Sequence, residues 1–436
     1  MSSLIPELRE WIARRAHALR EQFRTHRAAW IGALVQLALV TLLFGPVVRV
    51  MYAQTDYKAH MSYAESWIAT NSLVPPLPHF LFHLLAILVY ALLPRLGLLG
   101  GGLIVGVLGW QALGVILYAL VVQALAWIES PIRRVALTIA LALSMMVIMP
   151  ISLVTAFDQN LYLGYITPIN YHNPTTTLLR PLCIPLFLLA VRTLEAPPPQ
   201  GRWASVLGAA VLSVLSTLTK PNYALCLLPG LGLALVYRRY IQRQPVNWAL
   251  FIIGLAVPLT SVLGWQYIAF YQFQTVGAGL SADRGIDFAP LAEMRAMSDD
   301  WLLLKFLLSV AFPVAVYSLH FRRARTDSAL NLAWVVFAVA IAYAYLLANR
   351  VRGVYTGDFI WGSQIALHIL MVLSALFVLR SVGDANRGRV ITAHLGEGRF
   401  RFVAALYGLH VLNGVVWYAL VFLSFIPGFP SWTEWM

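Results

Sequence analysis

Apolar runs long enough, as helix, to cross roughly 30 Å of hydrocarbon recur along the whole chain. They fall at 29–50, 79–95, 100–128, 135–155, 175–193, 203–219, 222–237, 248–270, 301–319, 329–348, 359–380 and 402–426. No run shows the alternating ten-residue pattern of a membrane barrel. With no water in the bilayer core, helices are the remaining way to satisfy every backbone N–H and C=O. The sequence therefore predicts an all-α polytopic membrane protein, a bundle of about 11–13 transmembrane helices. Composition agrees: 60% of residues are hydrophobic, 11% are charged, and the mean hydropathy is +0.74.

The net charge of +13 comes from Arg residues spread over short loops, with no basic face gathered for nucleic acid. Membrane lipids with anionic headgroups are the expected partners, and nucleic acid is not. Cys183 and Cys226 both fall inside apolar runs and read as small buried hydrophobes. Residues 1–28 form an Arg-rich, Trp-containing amphipathic stretch, expected to lie as a helix on the cytoplasmic surface. Residues 29–427 form the transmembrane domain, and 428–436 an external tail.

Loop charge orients the spans. The loops around Arg238, Arg239 and Arg243, around Arg322, Arg323 and Arg325, and from Arg380 to Arg401 are the most basic, hence cytoplasmic. Alternation then places Arg133 and Arg134 inside and the loop 156–174 outside. The basic N-terminus makes 51–78 external. Between that loop and Arg133 an odd number of crossings is needed, yet two apolar runs lie there. Either 74–94, short and bounded by prolines, is interfacial or re-entrant, or the Gly-rich run 100–128 folds as two short pieces.

The predicted external face is rich in polar groups, which are costly at membrane depth and usually mark a site. In TDYKAH, Asp56 and His60 lie four residues apart on one helical face; a helix cap beside a snorkelling Lys58 explains the same residues. In NYHNPTTTLLRP, the turn before the next helix supplies His172 and Asn173, with Pro174 at the first helical position, and such an N-terminus suits an anion. Asp158 ends the preceding span. Basic residues on an external face run against the orientation rule, so Arg180, Lys220, Arg350 and Arg352 are candidate phosphate contacts, with Tyr355 beside them. Lipid snorkelling is the competing account of Arg180 and Lys220. Residues 271–300 read as an external loop or lid, with no metal-ligand spacing.

This order of features resembles the GT-C glycosyltransferases, multi-span enzymes that use polyprenyl-phosphate-linked sugars and include protein mannosyltransferases and aminoarabinose transferases. Asp56 in TDYKAH matches the first-loop catalytic carboxylate of that family. Pro75, Pro76 and Leu77 match its Pro-Pro-Leu element, and Asp158 matches its second-loop acid. The likeness covers mainly residues 29–180. It implies a GT-C-like bundle with external juxtamembrane helices, located in the inner or plasma membrane with its active site on the external, periplasmic face. Asp56 is then the expected general base and Asp158 a second acid. His60, His172, Asn173, Arg180, Lys220, Arg350, Arg352 and Tyr355 are expected to contact substrate. The expected partners are a polyprenyl-phosphate-linked sugar donor and a glycan or lipid acceptor, and the resemblance leaves room for magnesium or manganese. Two other readings are a polymerase or ligase with a lipid-diphosphate donor, and a transporter or flippase of an anionic lipid.

Overall fold

A computed structural model describes residues 27–72, 75–195, 202–272, 284–298, 300–351, 353–386, 397–424 and 426. The surface helix expected at 1–28, apart from its last two residues, and the tail expected at 428–436 lie outside the described residues. A helix occupies each of the twelve apolar runs. In chain order the elements are α1 (Arg27–Gln54), α2 (Asp56–Thr70), α3 (Leu81–Leu92), α4 (Gly97–Ala124), α5 (Pro131–Val147), α6 (Pro174–Thr193), α7 (Arg202–Thr219) and α8 (Asn222–Val236). They continue with α9 (Val257–Tyr267), β1 (Arg284–Phe288), α10 (Ala292–Met297), α11 (Leu302–Leu319), α12 (Ser328–Leu346), β2 (Leu347–Val351), β3 (Val354–Thr356), α13 (Ile360–Asn386) and α14 (Glu397–Leu423). Among the described residues, nine helices are long and apolar enough to cross a membrane. The chain is a polytopic helical membrane protein.

The two alternatives for the early spans are resolved by length. α4 is one continuous helix of 28 residues, about 42 Å long at 1.5 Å per residue. α3 has only 12 residues, about 18 Å, too short to span. The glycines of α4 serve close packing. A Cβ at Gly101 would sit 2.4 Å from the Ala86 carbonyl oxygen of α3, and one at Gly106 would meet Val48 of α1 and the Tyr57 hydroxyl of α2. Small residues let helices approach where lipid offers no hydrophobic drive toward association.

The run 135–155 stops being helical at Val147. Pro150 lacks an N–H and disfavours helix at the residue before it. Apart from one helical turn at Thr155–Asp158, the chain then runs irregularly to Asn173, yet Ile151, Tyr162, Tyr165, Ile166, Ile169 and Tyr171 are buried. Its polar backbone finds partners: Met149 N–H donates to the His410 carbonyl on α14, and Ile166 N–H to Ser309 Oγ on α11. The loop expected at 156–174 is thus largely packed within the bundle.

One departure from an all-helical fold is a small antiparallel sheet in the order β1-β2-β3. It pairs Gly285 with Arg350, Asn349 with Thr356, and Arg350 with Tyr355. Part of the expected lid is therefore a strand, and 273–283 lie outside the described residues. α13, with 83% of its apolar stretch buried, is the central helix. It starts beside the sheet, and in its last turns Arg323 pairs with Asp384 and Arg380 lies 3.6 Å from Asp327. Those groups line a cavity of about 190 Å³ with Trp127. The Arg323 loop and Arg380 thus share one end of α13, and the sheet marks the other.

Candidate active site

The chain turns from α1 into α2 at Thr55, whose side chain accepts from Tyr57 N–H as the N-cap. Asp56 is therefore the first helical residue and not the cap, which leaves its carboxylate available to the site. Asn173 Nδ2 donates to Asp56 Oδ2 at 2.7 Å. Asn173 does this while its Oδ1 caps α6 by accepting from Thr176 N–H at 3.0 Å. One amide therefore starts α6 and aims the carboxylate. Thr55 Oγ1 lies 2.9 Å from the His172 carbonyl oxygen, tying the same two segments. Among the described residues no donor is bonded to the other oxygen of Asp56.

Lys220, in the turn between α7 and α8, is 7% exposed. Its Nζ lies 4.2 Å from the centre of the Trp361 ring, on the first turn of α13. Burial pulls the ammonium down to about 8, against the pull of the Asp358 and Asp56 carboxylates. His172 packs its ring 5.4 Å from Trp361 and 5.6 Å from Tyr162. Burial lowers it to about 4, opposed by Asp56 and aided by Lys220 and Arg180, so it is neutral at physiological pH. His60 Nδ1 and His83 Nε2 are 2.9 Å apart. Burial holds His60 well below the usual histidine value, so it offers a ring hydrogen bond and no charge.

Asp56, His60, His172, Asn173 and Lys220 thus gather at the sheet end of the bundle. Asp158, Arg350 and Tyr355 fall elsewhere, Arg180 lies behind the cluster within electrostatic reach of His172 and Lys220, and Arg352 is not described. Asp158 is bound by Lys305: its Oδ2 lies 2.5 Å from the Lys305 Nζ, and the lysine side chain is fully buried. The lysine also donates to Ser298 Oγ and to the Leu163 carbonyl. That ion pair pins the 156–164 segment to α11. Arg180 is 1% exposed and donates to the carbonyls of Pro168 and Asn170, so it braces the segment that carries His172 and Asn173. Arg350 pairs with Asp287 at 2.8 Å, and strand alternation puts Arg350 and Tyr355 on the face opposite Asn349 and Thr356. Arg352 lies outside the described residues.

Three side chains at this end escaped the sequence reading. Asp358 is fixed by Asn349 Nδ2 at 2.6 Å and Thr356 Oγ1 at 2.8 Å, both donating to its Oδ2. Trp361 underlies Lys220. Glu293 is 1% exposed and accepts from the backbone N–H groups of Asn349 and Phe359. The one usable signal was Gly353 at φ +76 between β2 and β3, a hairpin turn in VRGVYT.

Burial pushes the Glu293 carboxyl up from 4.5 to about 8, with Asp358 adding and the backbone N–H groups of Asn349, Phe359 and Ile360 opposing. Its folded value is raised, so the folded protein holds a proton that the unfolded chain has released. This contribution is complete below the ordinary carboxyl value and is lost as pH rises through the folded one. Stability should therefore fall from about pH 5 to about pH 8, with a slope of at most about 1.4 kcal/mol per pH unit from this group. Glu293→Gln should flatten the decline, measured by thermal unfolding in detergent across that window.

Among the described residues no group of three or more His, Cys, Asp or Glu side chains is placed to hold a metal ion. The arrangement around Asp56 offers instead one carboxylate, one buried ammonium and neutral imidazoles. No protein family, curated protein or solved structure matches the chain.

Proposed function

We propose that this protein is an integral membrane glycosyltransferase, of the GT-C kind its sequence resembles. It transfers a sugar from a polyprenyl-phosphate donor to an acceptor hydroxyl on the external face of the inner or plasma membrane. Its products belong to cell-envelope glycans or glycolipids. The observation that carries the reading is the pairing at one bundle end of an Asn-oriented carboxylate, Asp56, with a nearly dry ammonium, Lys220.

Each group has a part in the reaction. Asp56 takes the proton of the acceptor hydroxyl, whose oxygen attacks the anomeric carbon. The bond from that carbon to the phosphate oxygen breaks, and its electron pair leaves with the phosphate. Lys220 stabilises that charge, more strongly in a water-poor site than it would in bulk water. A phosphate leaves without being protonated, so one carboxylate suffices, unlike the acid and base pair of a glycosidase. Asn173 keeps Asp56 in position, and His172 supplies a neutral ring contact. Inversion at the anomeric carbon follows from the resemblance.

Lys220→Gln tests the anion half of this reading. It should weaken binding of polyprenyl phosphate by about 10- to 100-fold, the weight of one hydrogen bond to a charged group. Wild-type binding should weaken as pH rises through about 8, where the ammonium is lost, and the variant should not show that step. Equal binding by both proteins, measured with radiolabelled lipid in detergent, would count against Lys220 as the phosphate contact.

A further inference from the structure

We propose that Glu293 is a positioning residue for the Lys220 cation: its carboxyl clamps both ends of segment 349–359 over the site. Glu293 Oε1 accepts from Asn349 N–H at 3.1 Å and Oε2 from Phe359 N–H at 3.2 Å. One buried side chain thus joins the central strand β2 to the residue before α13, across the β2–β3 hairpin. Two of the groups around Lys220, Asp358 and Trp361, belong to this segment or its margin. Asp358 is the stronger of the two carboxylate influences on the ammonium, and Trp361 follows Phe359 by two residues.

The segment is fastened to the cation's own turn as well. Asn222, two residues after Lys220, donates from Nδ2 to the Asp358 carbonyl at 2.5 Å. Asp358 Oδ2 takes bonds from Asn349 and Thr356, so the carboxylate, though exposed, is fixed to the hairpin. The helix that presents Glu293 is itself held firmly. Leu291, just before α10, sits in the left-handed region at φ 62 and donates from its N–H to the Tyr345 carbonyl at 2.6 Å. A non-glycine residue persists there only where its surroundings over-determine it. Gln at position 293 keeps the size of the side chain but replaces an oxygen, which accepts even when protonated, with an NH2 that cannot accept, opposite an N–H that donates. One end of the clamp then opens.

The inference rests on Lys220 being the anion-binding cation, and its test involves no sugar transfer, so either can fail while the other stands. The chain has three lysines, Lys58, Lys220 and Lys305. Lys58 is exposed and serves as the reference, while Lys305 is buried by a different set of partners. Full-length protein in detergent is pulsed with acetic anhydride, and acylation of each lysine is read by mass spectrometry. Glu293→Gln should raise Lys220 acylation relative to Lys58 by about tenfold, the size of one pKa unit, and leave Lys305 unchanged. Asp287→Asn, which breaks the Arg350 pair on the outer face of the same sheet, should leave Lys220 unchanged. An unchanged Lys220 in Glu293→Gln overturns the proposal. So does a parallel rise in Lys305, or an equal rise in Asp287→Asn. If Glu293→Gln does not fold, Thr356→Val, which removes one donor to Asp358, carries the same expectation and the same refutation.

Discussion

Asp56→Asn is expected to lower sugar transfer by about 10²- to 10⁴-fold, the usual contribution of a positioned general base. The substitution is nearly isosteric, and the amide can still meet Asn173, so α2 and α6 should keep their relation. What it removes is the group that takes the acceptor proton. Because Lys220 is untouched, donor affinity should change by no more than a few-fold. The measurement is turnover of a labelled polyprenyl-phosphate sugar beside its dissociation constant. Full turnover in the variant would remove Asp56 from the chemistry, and a matched loss of affinity and turnover would make it a binding residue.

Lys305→Met is expected to be the most damaging single change to stability. The ammonium is completely buried, donates to Ser298 Oγ and the Leu163 carbonyl, and pairs with Asp158. Removing it leaves the Asp158 carboxylate, itself 10% exposed, as a buried charge without its partner. Breaking such a pair from one side typically costs about 3–5 kcal/mol. Adding Asp158→Asn should recover much of that loss, since it removes the orphaned charge. Unfolding of the single and double variants in detergent measures both numbers. A double variant no more stable than Lys305→Met would contradict the ion pair as the reason for the loss.

The helical fold was legible because the bilayer imposes length and apolarity on every span, and all twelve runs carry helix. Local chemistry was legible too. Asn173 followed by Pro174 starts α6 through the backbone rules of a helix N-terminus. What could not be read was which polar groups meet across distant segments. Asp158 looked like a second acid because its partner, Lys305, is hidden inside WLLLKFLLSV, a run that reads as plain membrane span. A lone lysine in such a run calls for a counter-charge, and that was the available hint. Arg180 looked like a phosphate contact, yet its guanidinium braces backbone carbonyls ten and twelve residues upstream. The sheet was illegible because its strands are three to five residues long and β1 lies far in sequence from its partner. Asp358, Trp361 and Glu293 depend on that sheet and were hidden with it.

The most direct test of glycosyl transfer uses purified protein with a polyprenyl-phosphate sugar carrying separate labels in sugar and lipid, in detergent and in liposomes. Release of free polyprenyl phosphate in step with transfer of the sugar to a hydroxyl acceptor is the expected result. Movement of the intact donor across the liposome bilayer, with both labels still joined and no sugar transferred, would contradict it and identify a lipid transporter.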